Sequence, residues 1–264
     1  MHHYAETLGR WLDGCCPARQ FTLAIPSRTK HCEILLRAIT CFSARHLHED
    51  DLADEAYQRC LALLIERLGL HTATHDDDLL CAIVILRFFE QLNVAPDSGS
   101  DHEQHLAGSS AILRASQTTT VDPSAPTLRE AAFWVYVRQC LYIATINQQP
   151  PNLDFSLKLH PEPSSMQDSH PLATLRLETG WTNQMAWNCA CVVNYCFDGN
   201  PMQERSIRME RWQCLWDLVQ QWERHRPMSF EPIWVGLDQA NSTFPEMWFT
   251  ADWHGTVHQQ SSVL

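Results

Sequence analysis

Glu90, closing the stretch Leu86-Arg87-Phe88-Phe89-Glu90, and Arg138, within Trp134-Val135-Tyr136-Val137-Arg138, carry the chemistry that would matter most if they met. A buried carboxylate beside a guanidinium could bracket a ligand or move a proton. Trp134 and Asn147 lie on the same stretch as Arg138 and would line such a pocket. The structural reading is an ion pair that fixes helix register, helped by Arg87 one turn before Glu90, and it is the reading we prefer.

Other clusters are weaker. His102 and His105 share a helical face and could supply two metal ligands, but no third is placed, so a solvated helix start is the better account. His71 and His75 beside Asp76, Asp77 and Asp78 read as an acidic helix start, where the macrodipole favours negative charge. Cys189 and Cys191, two apart on a helix, point in different directions and do not converge on one ion. Nothing places a base beside any thiol, and with nine glycines there is no phosphate-cradling loop. No metal and no cofactor is expected. Trp181, Trp187, Trp212, Trp216 and Trp222 read as core or interhelical packing, with an aromatic cavity for an apolar metabolite as the sharper alternative.

The elements that must position these residues are helices. From Thr127 to Pro151 the chain opens on a capping-box pattern, Thr127 with Glu130. Ala131, Ala132, Val135, Cys140, Leu141 and Ala144 then recur at helical spacing, and Pro150-Pro151 ends the run. Further helices are expected over 2–13, from about 34, from Asp50 or Asp51 to Gly69, from 76 through about 92, from Asp101 to about Ser116, and over about 178–198 and 202–225. Residues 15–30, with Pro17 and Pro26, read as a connection holding a short extended piece. The stretch 151–177, with four prolines, reads as an irregular crossing within one domain of 1–264. The segment HRPMSFEPIWVG is expected to be extended, FPEMWFTADWHG a turn or short helix, and HQQSSVL unstructured. No strand pair stands out. The fold class is all-α, a multi-helix bundle.

Composition limits the function. In 264 residues, 31 acids stand against 19 Lys and Arg, a formal charge of −12. Nucleic-acid affinity rests on basic residues displacing counterions, so direct nucleic-acid contact is not expected. No run of about twenty apolar residues exists to span a membrane. Eleven cysteines, mostly inside apolar patterns, with no secretory signal, read as small core residues of a protein in a reducing compartment.

Several stretches together resemble the regulatory domain of fungal-specific transcription factors, the part that follows a zinc binuclear cluster. They are HHYAETLGRWLD (2–13), LLRAITCFSARHL (35–47), AYQRCLALLIERL (56–68), DDDLLCAIVILRFFE (76–90), HLAGSSAIL (105–113) and AAFWVYVRQCLYIATINQQPP (131–151). WDLVQQWERHRPMSFEPI (216–233) and FPEMWFTADWH (244–254) are similar as well. The resemblance implies an all-α fold and a nuclear protein, with the cytoplasm as the alternative. No paired Cys-x-x-Cys runs are present, so the chain reads as a member trimmed of its zinc cluster and its last helices.

The resemblance implies a transcription regulator acting through a DNA-binding or co-regulator partner, or through a small apolar metabolite, on a fungal secondary-metabolite gene cluster. The alternative is an enzyme built on the regulator fold that isomerises or cyclises an apolar biosynthetic intermediate. No residue pattern decides between the two.

Overall fold

The computed structural model describes residues 1–70, 72–92, 120–162, 171–198, 205–236 and 246–263. Among these the fold is all-α, as the periodicity predicts. The chain divides into two compact units. The first comprises Met1–Val121 and Ala125–Gln139, the second Asp122–Ser124 and Cys140–Leu264.

The first unit opens on a π-helical turn, Tyr4–Leu8, that runs into α1 (Gly9–Asp13). Gly14, at φ 48°, turns the chain out of α1, a conformation that suits a residue without Cβ. A second π-helical turn, Gln20–Ala24, leads into α2 (Ile25–Arg28). The expected extended connection over 15–30 is therefore corrected. Pro26 stands where the π-helical turn passes into α2, and the helical run carries the proline at that junction instead of breaking there. Gly9 allows the close approach of the two turns: a Cβ there would lie 3.0 Å from the Thr22 Cα and 3.2 Å from the Phe21 carbonyl oxygen.

Three longer helices follow, α3 (Glu33–His46), α4 (Asp50–Leu68) and α5 (Asp77–Leu92). α3 packs on both α4 and α5. Leu35, Ala38, Ile39 and Phe42 of α3 are fully buried, and each of the large ones contributes about 1.5–3 kcal/mol through the apolar surface it removes from water. α5 is buried from Leu79 through Arg87, which its near-continuous apolar sequence predicts. Its start is fixed by Asp76, whose Oδ1 accepts the Leu79 amide at 3.0 Å. Asp76, Asp77 and Asp78 also pair with Arg67, Arg129 and Arg28 at 2.9, 2.7 and 2.5 Å, so the acidic run is a cap with its own counterions.

The helix α6 (Leu128–Asn147) supplies residues to both units. Its N-terminus has the expected Thr127–Glu130 pairing: the Glu130 amide donates to the Thr127 hydroxyl at 3.4 Å, and that hydroxyl bonds the Glu130 carboxylate. The helix ends before the prolines. Gln148 takes a left-handed turn at φ 53°, and the Gln149 amide donates to the Ala144 carbonyl at 3.0 Å, a Schellman-type stop without glycine.

In the second unit α7 (Pro171–Phe197) packs with α8 (Arg205–His225) and α9 (Asp252–Val263). α7 begins at Pro171, inside the stretch read as irregular, and α9 occupies much of a tail read as unstructured. Trp181, Met185, Cys189, Trp222, Phe230 and Val257 form its core. The Trp222 indole N–H donates to the Trp181 carbonyl at 2.9 Å, which satisfies a polar atom inside that core. Two-residue strands lie at Thr120–Val121 (β1), Lys158–Leu159 (β2), Trp234–Val235 (β3) and Met247–Trp248 (β4). β3 and β4 pair antiparallel, Trp234 opposite Trp248, a pairing the sequence does not announce.

Candidate functional site

The polar residues of α5 and α6 are the natural place to look, because polar groups on buried helices must find partners or cost about 1–3 kcal/mol each. Gln139, buried, donates from Nε2 to the Val84 carbonyl of α5 at 2.9 Å. Arg87, also buried, lies with its guanidinium 4.8 Å from the centre of the Tyr136 ring. Arg138 donates from Nη1 to the Trp134 carbonyl one turn back, at 3.1 Å, and from Nη2 to the Cys15 sulfur at 2.9 Å. Glu90 accepts from the Tyr57 hydroxyl of α4 at 3.0 Å.

These contacts place the four residues singled out in the sequence. Trp134 and Arg138 come together on one face of α6, Glu90 faces α4, and Asn147 is exposed at the last residue of α6, within the second unit. The Tyr57 hydroxyl has its pKa pushed up, by burial first and then by the charge of Glu90, so at neutral pH it remains a donor. In the described residues Glu90 and Arg138 thus each anchor a neighbouring element through a hydrogen bond. What this arrangement does chemically is tie helices together.

The N-terminal turns carry a polar group that the sequence reading did not select. Both oxygens of the buried Asp13 carboxylate are used: Oδ1 accepts the Phe21 amide at 2.7 Å and Oδ2 the Thr22 amide at 2.9 Å. Burial pushes its pKa up, while the hydrogen bonds from residues 21 and 22 pull it down. A carboxylate eight residues upstream of a helical turn is no capping motif, which is why spacing alone missed it.

The second unit holds another. His254, 2% exposed, lies with Nε2 3.3 Å from Oε2 of the buried Glu178 and Nδ1 3.0 Å from the Thr250 hydroxyl. A carboxylate only accepts, so Nε2 carries the proton and Nδ1 accepts from the threonine. Hydroxyl, imidazole and carboxylate in this order can serve nucleophilic catalysis. Here the ring is packed against Phe230 at 4.6 Å and Trp253 at 5.6 Å, and Thr250 sits just ahead of the helix that carries the histidine. The trio pins α9 onto α7.

The thiols fit a structural role. Burial pushes Cys60, Cys189 and Cys191 each up to about 12, and raises Cys41 further still. Thiols held protonated in this way are weak nucleophiles at neutral pH. Among the described residues no three His, Cys, Asp or Glu side chains gather as metal ligands, and His71, His102 and His105 lie outside them. Nor, among the described residues, is any helix long and apolar enough to cross a membrane.

A family model described as the fungal-specific transcription factor domain matches residues 13–176, more than half of the chain. The matched range takes in α2 through α6, including the α5–α6 seam. No curated protein and no solved structure matches the chain.

Proposed function

Because this chain belongs to the fungal-specific transcription factor domain family, we propose that it regulates transcription through contacts with a DNA-binding or co-regulator protein. The family match over residues 13–176 carries this reading. The formal charge of −12 supports protein-mediated action of this domain, since a surface dominated by carboxylates repels phosphate backbones. In this reading the protein works in the nucleus and its targets are the genes of a fungal secondary-metabolite cluster. An apolar metabolite acting as effector would meet the Trp134–Arg138 stretch of α6.

Deleting the gene and measuring transcripts of its neighbours together with the metabolite profile tests the proposal. Transcripts that fall together are the expected result. Persisting transcripts with one accumulating intermediate would overturn it in favour of an enzyme that isomerises or cyclises that intermediate.

A further inference from the structure

The helix α8 shows an unusual amount of apolar surface on one side. Met209 is 55% exposed, Trp212 42% and Trp216 44%, and the two indoles stack on each other, centroids 5.6 Å apart and planes 18° from parallel. Another side of the helix is engaged within its own unit. There Val219 and Trp222 are buried, Arg208 and Arg211 lie over the Tyr195 ring of α7, and Arg211 pairs with Asp198.

At about 100° per residue, Arg205, Met209, Trp212, Trp216 and Glu223 fall within about 60° of one another around the helix. The apolar members recur at alternating intervals of three and four, which is the spacing of a helix–helix seam. The order along that strip is symmetric about the level of Cys214. Trp212 and Trp216 lie two residues to either side of it, Arg205 and Glu223 nine. The end residues are of opposite charge.

We propose that this face of α8 pairs with the same face of a second copy of the chain, antiparallel, about a two-fold axis level with Cys214. In that arrangement Trp212 meets Trp216 of the second copy and Arg205 meets Glu223, each contact occurring twice, with the exposed Met209 flanking the tryptophans. A two-fold interface requires a self-complementary patch, and a strip with a cation at one end, an anion at the other and apolar residues placed symmetrically between them meets that requirement. A parallel pairing would set Arg205 against Arg205 and Glu223 against Glu223. Glu223 also accepts from Arg226 at 2.5 Å within its own chain but keeps 42% of its side chain in solvent, so it remains available. The tryptophans supply the buried surface and the charges fix direction and register. This inference is independent of the transcriptional role.

Sedimentation of the full chain over a wide concentration range is the test. The native protein is expected to pass from 30.4 kDa to twice that mass as concentration rises. Arg205→Glu sets Glu against Glu twice, and Glu223→Arg sets Arg against Arg twice, so each variant alone is expected to lose the dimer. An equimolar mixture of the two restores opposite charges at both ends and should recover it, as should the double variant R205E/E223R. Trp212→Ala, at an exposed site that folding tolerates, should also lose it. A native chain that stays monomeric overturns the proposal, as do single-charge variants that dimerise like the native protein or a folded mixture that remains monomeric.

Discussion

His254 and Glu178, seventy-six positions apart in sequence, form a buried imidazole–carboxylate contact at 3.3 Å, and the Thr250 hydroxyl occupies the other ring nitrogen. Deleting the imidazole leaves a carboxylate without its partner in a buried site. We expect His254→Ala to lower stability by about 1–3 kcal/mol, the cost of leaving a buried polar group without its hydrogen-bond partner. The double variant His254→Phe with Glu178→Leu should recover most of that loss, because no polar atom is then stranded. Urea unfolding followed by tryptophan fluorescence measures both. Equal destabilisation by the single and the double variant would show that packing, not the polar contact, dominates.

Two helices end on left-handed residues that are not glycine. Gln148 closes α6 at φ 53°, and His48 follows α3 at φ 62°, with the Glu49 amide donating to the Ala44 carbonyl at 2.9 Å. An L side chain pays a steric cost there that glycine does not, so Gln148→Gly and His48→Gly should each stabilise by about 0.5–1 kcal/mol. Alanine at either position keeps the strain and should give no gain. Thermal melting of the four variants decides the matter.

The cysteines should divide by accessibility. Cys196 and Cys214 are exposed, whereas Cys15, Cys32, Cys41, Cys60, Cys81, Cys140 and Cys189 are buried. A thiol reagent in excess should modify Cys196 and Cys214 rapidly and the buried seven only as fast as the protein opens. Mass mapping of the labelled peptides reads this out. Fast labelling of Cys60 or Cys189 would contradict the packing of α3–α4 or of the second core.

Alkaline pH should unfold the protein progressively. The thiols of Cys60, Cys189 and Cys191 rise from 9.0 to about 12 on folding, and Cys41, Cys81, Tyr4 and Tyr57 are raised as well. Above pH 9 the unfolded chain releases thiol protons that the folded chain retains, so the folded state binds more protons and stability falls as pH rises. For these thiols the loss begins near pH 9 and levels off only above about 12. Denaturant midpoints measured between pH 7 and 11 should decline, the slope steepening above 9. Replacing Cys60 with Ala should reduce that slope even where it lowers stability at pH 7.

Much of this architecture is legible in residue spacing. The apolar run of α5 places that helix at the centre of its unit, and Thr127 with Glu130 marks the start of α6. What spacing does not carry is the use of a proline by its context. Pro26 and Pro171 read as breaks, yet Pro171 opens a helix, where a proline gives up no hydrogen bond, and Pro26 lies at the junction of a π-helical turn with α2. The β3–β4 pair is two residues per strand, too short for alternation to register. The polar contacts are least visible. Glu90 and Arg138 stand out as charges in apolar runs, but nothing local tells that Tyr57 and Cys15 will be their partners. Glu178 and His254 lie in ordinary surroundings, and only the packing of α9 on α7 unites them.

The Asp13 carboxylate, holding the Phe21 and Thr22 amides, closes a loop of eight residues. Bringing together ends so close in sequence costs little chain entropy, and the cost grows only slowly with loop length. The first two turns can therefore find each other without waiting for α5 or α6, whose contacts must be gathered across far longer stretches. In kinetic terms this corner is an early step: substitutions of Asp13 or Gly9 should slow folding, whereas those at Gln139 should mainly hasten unfolding.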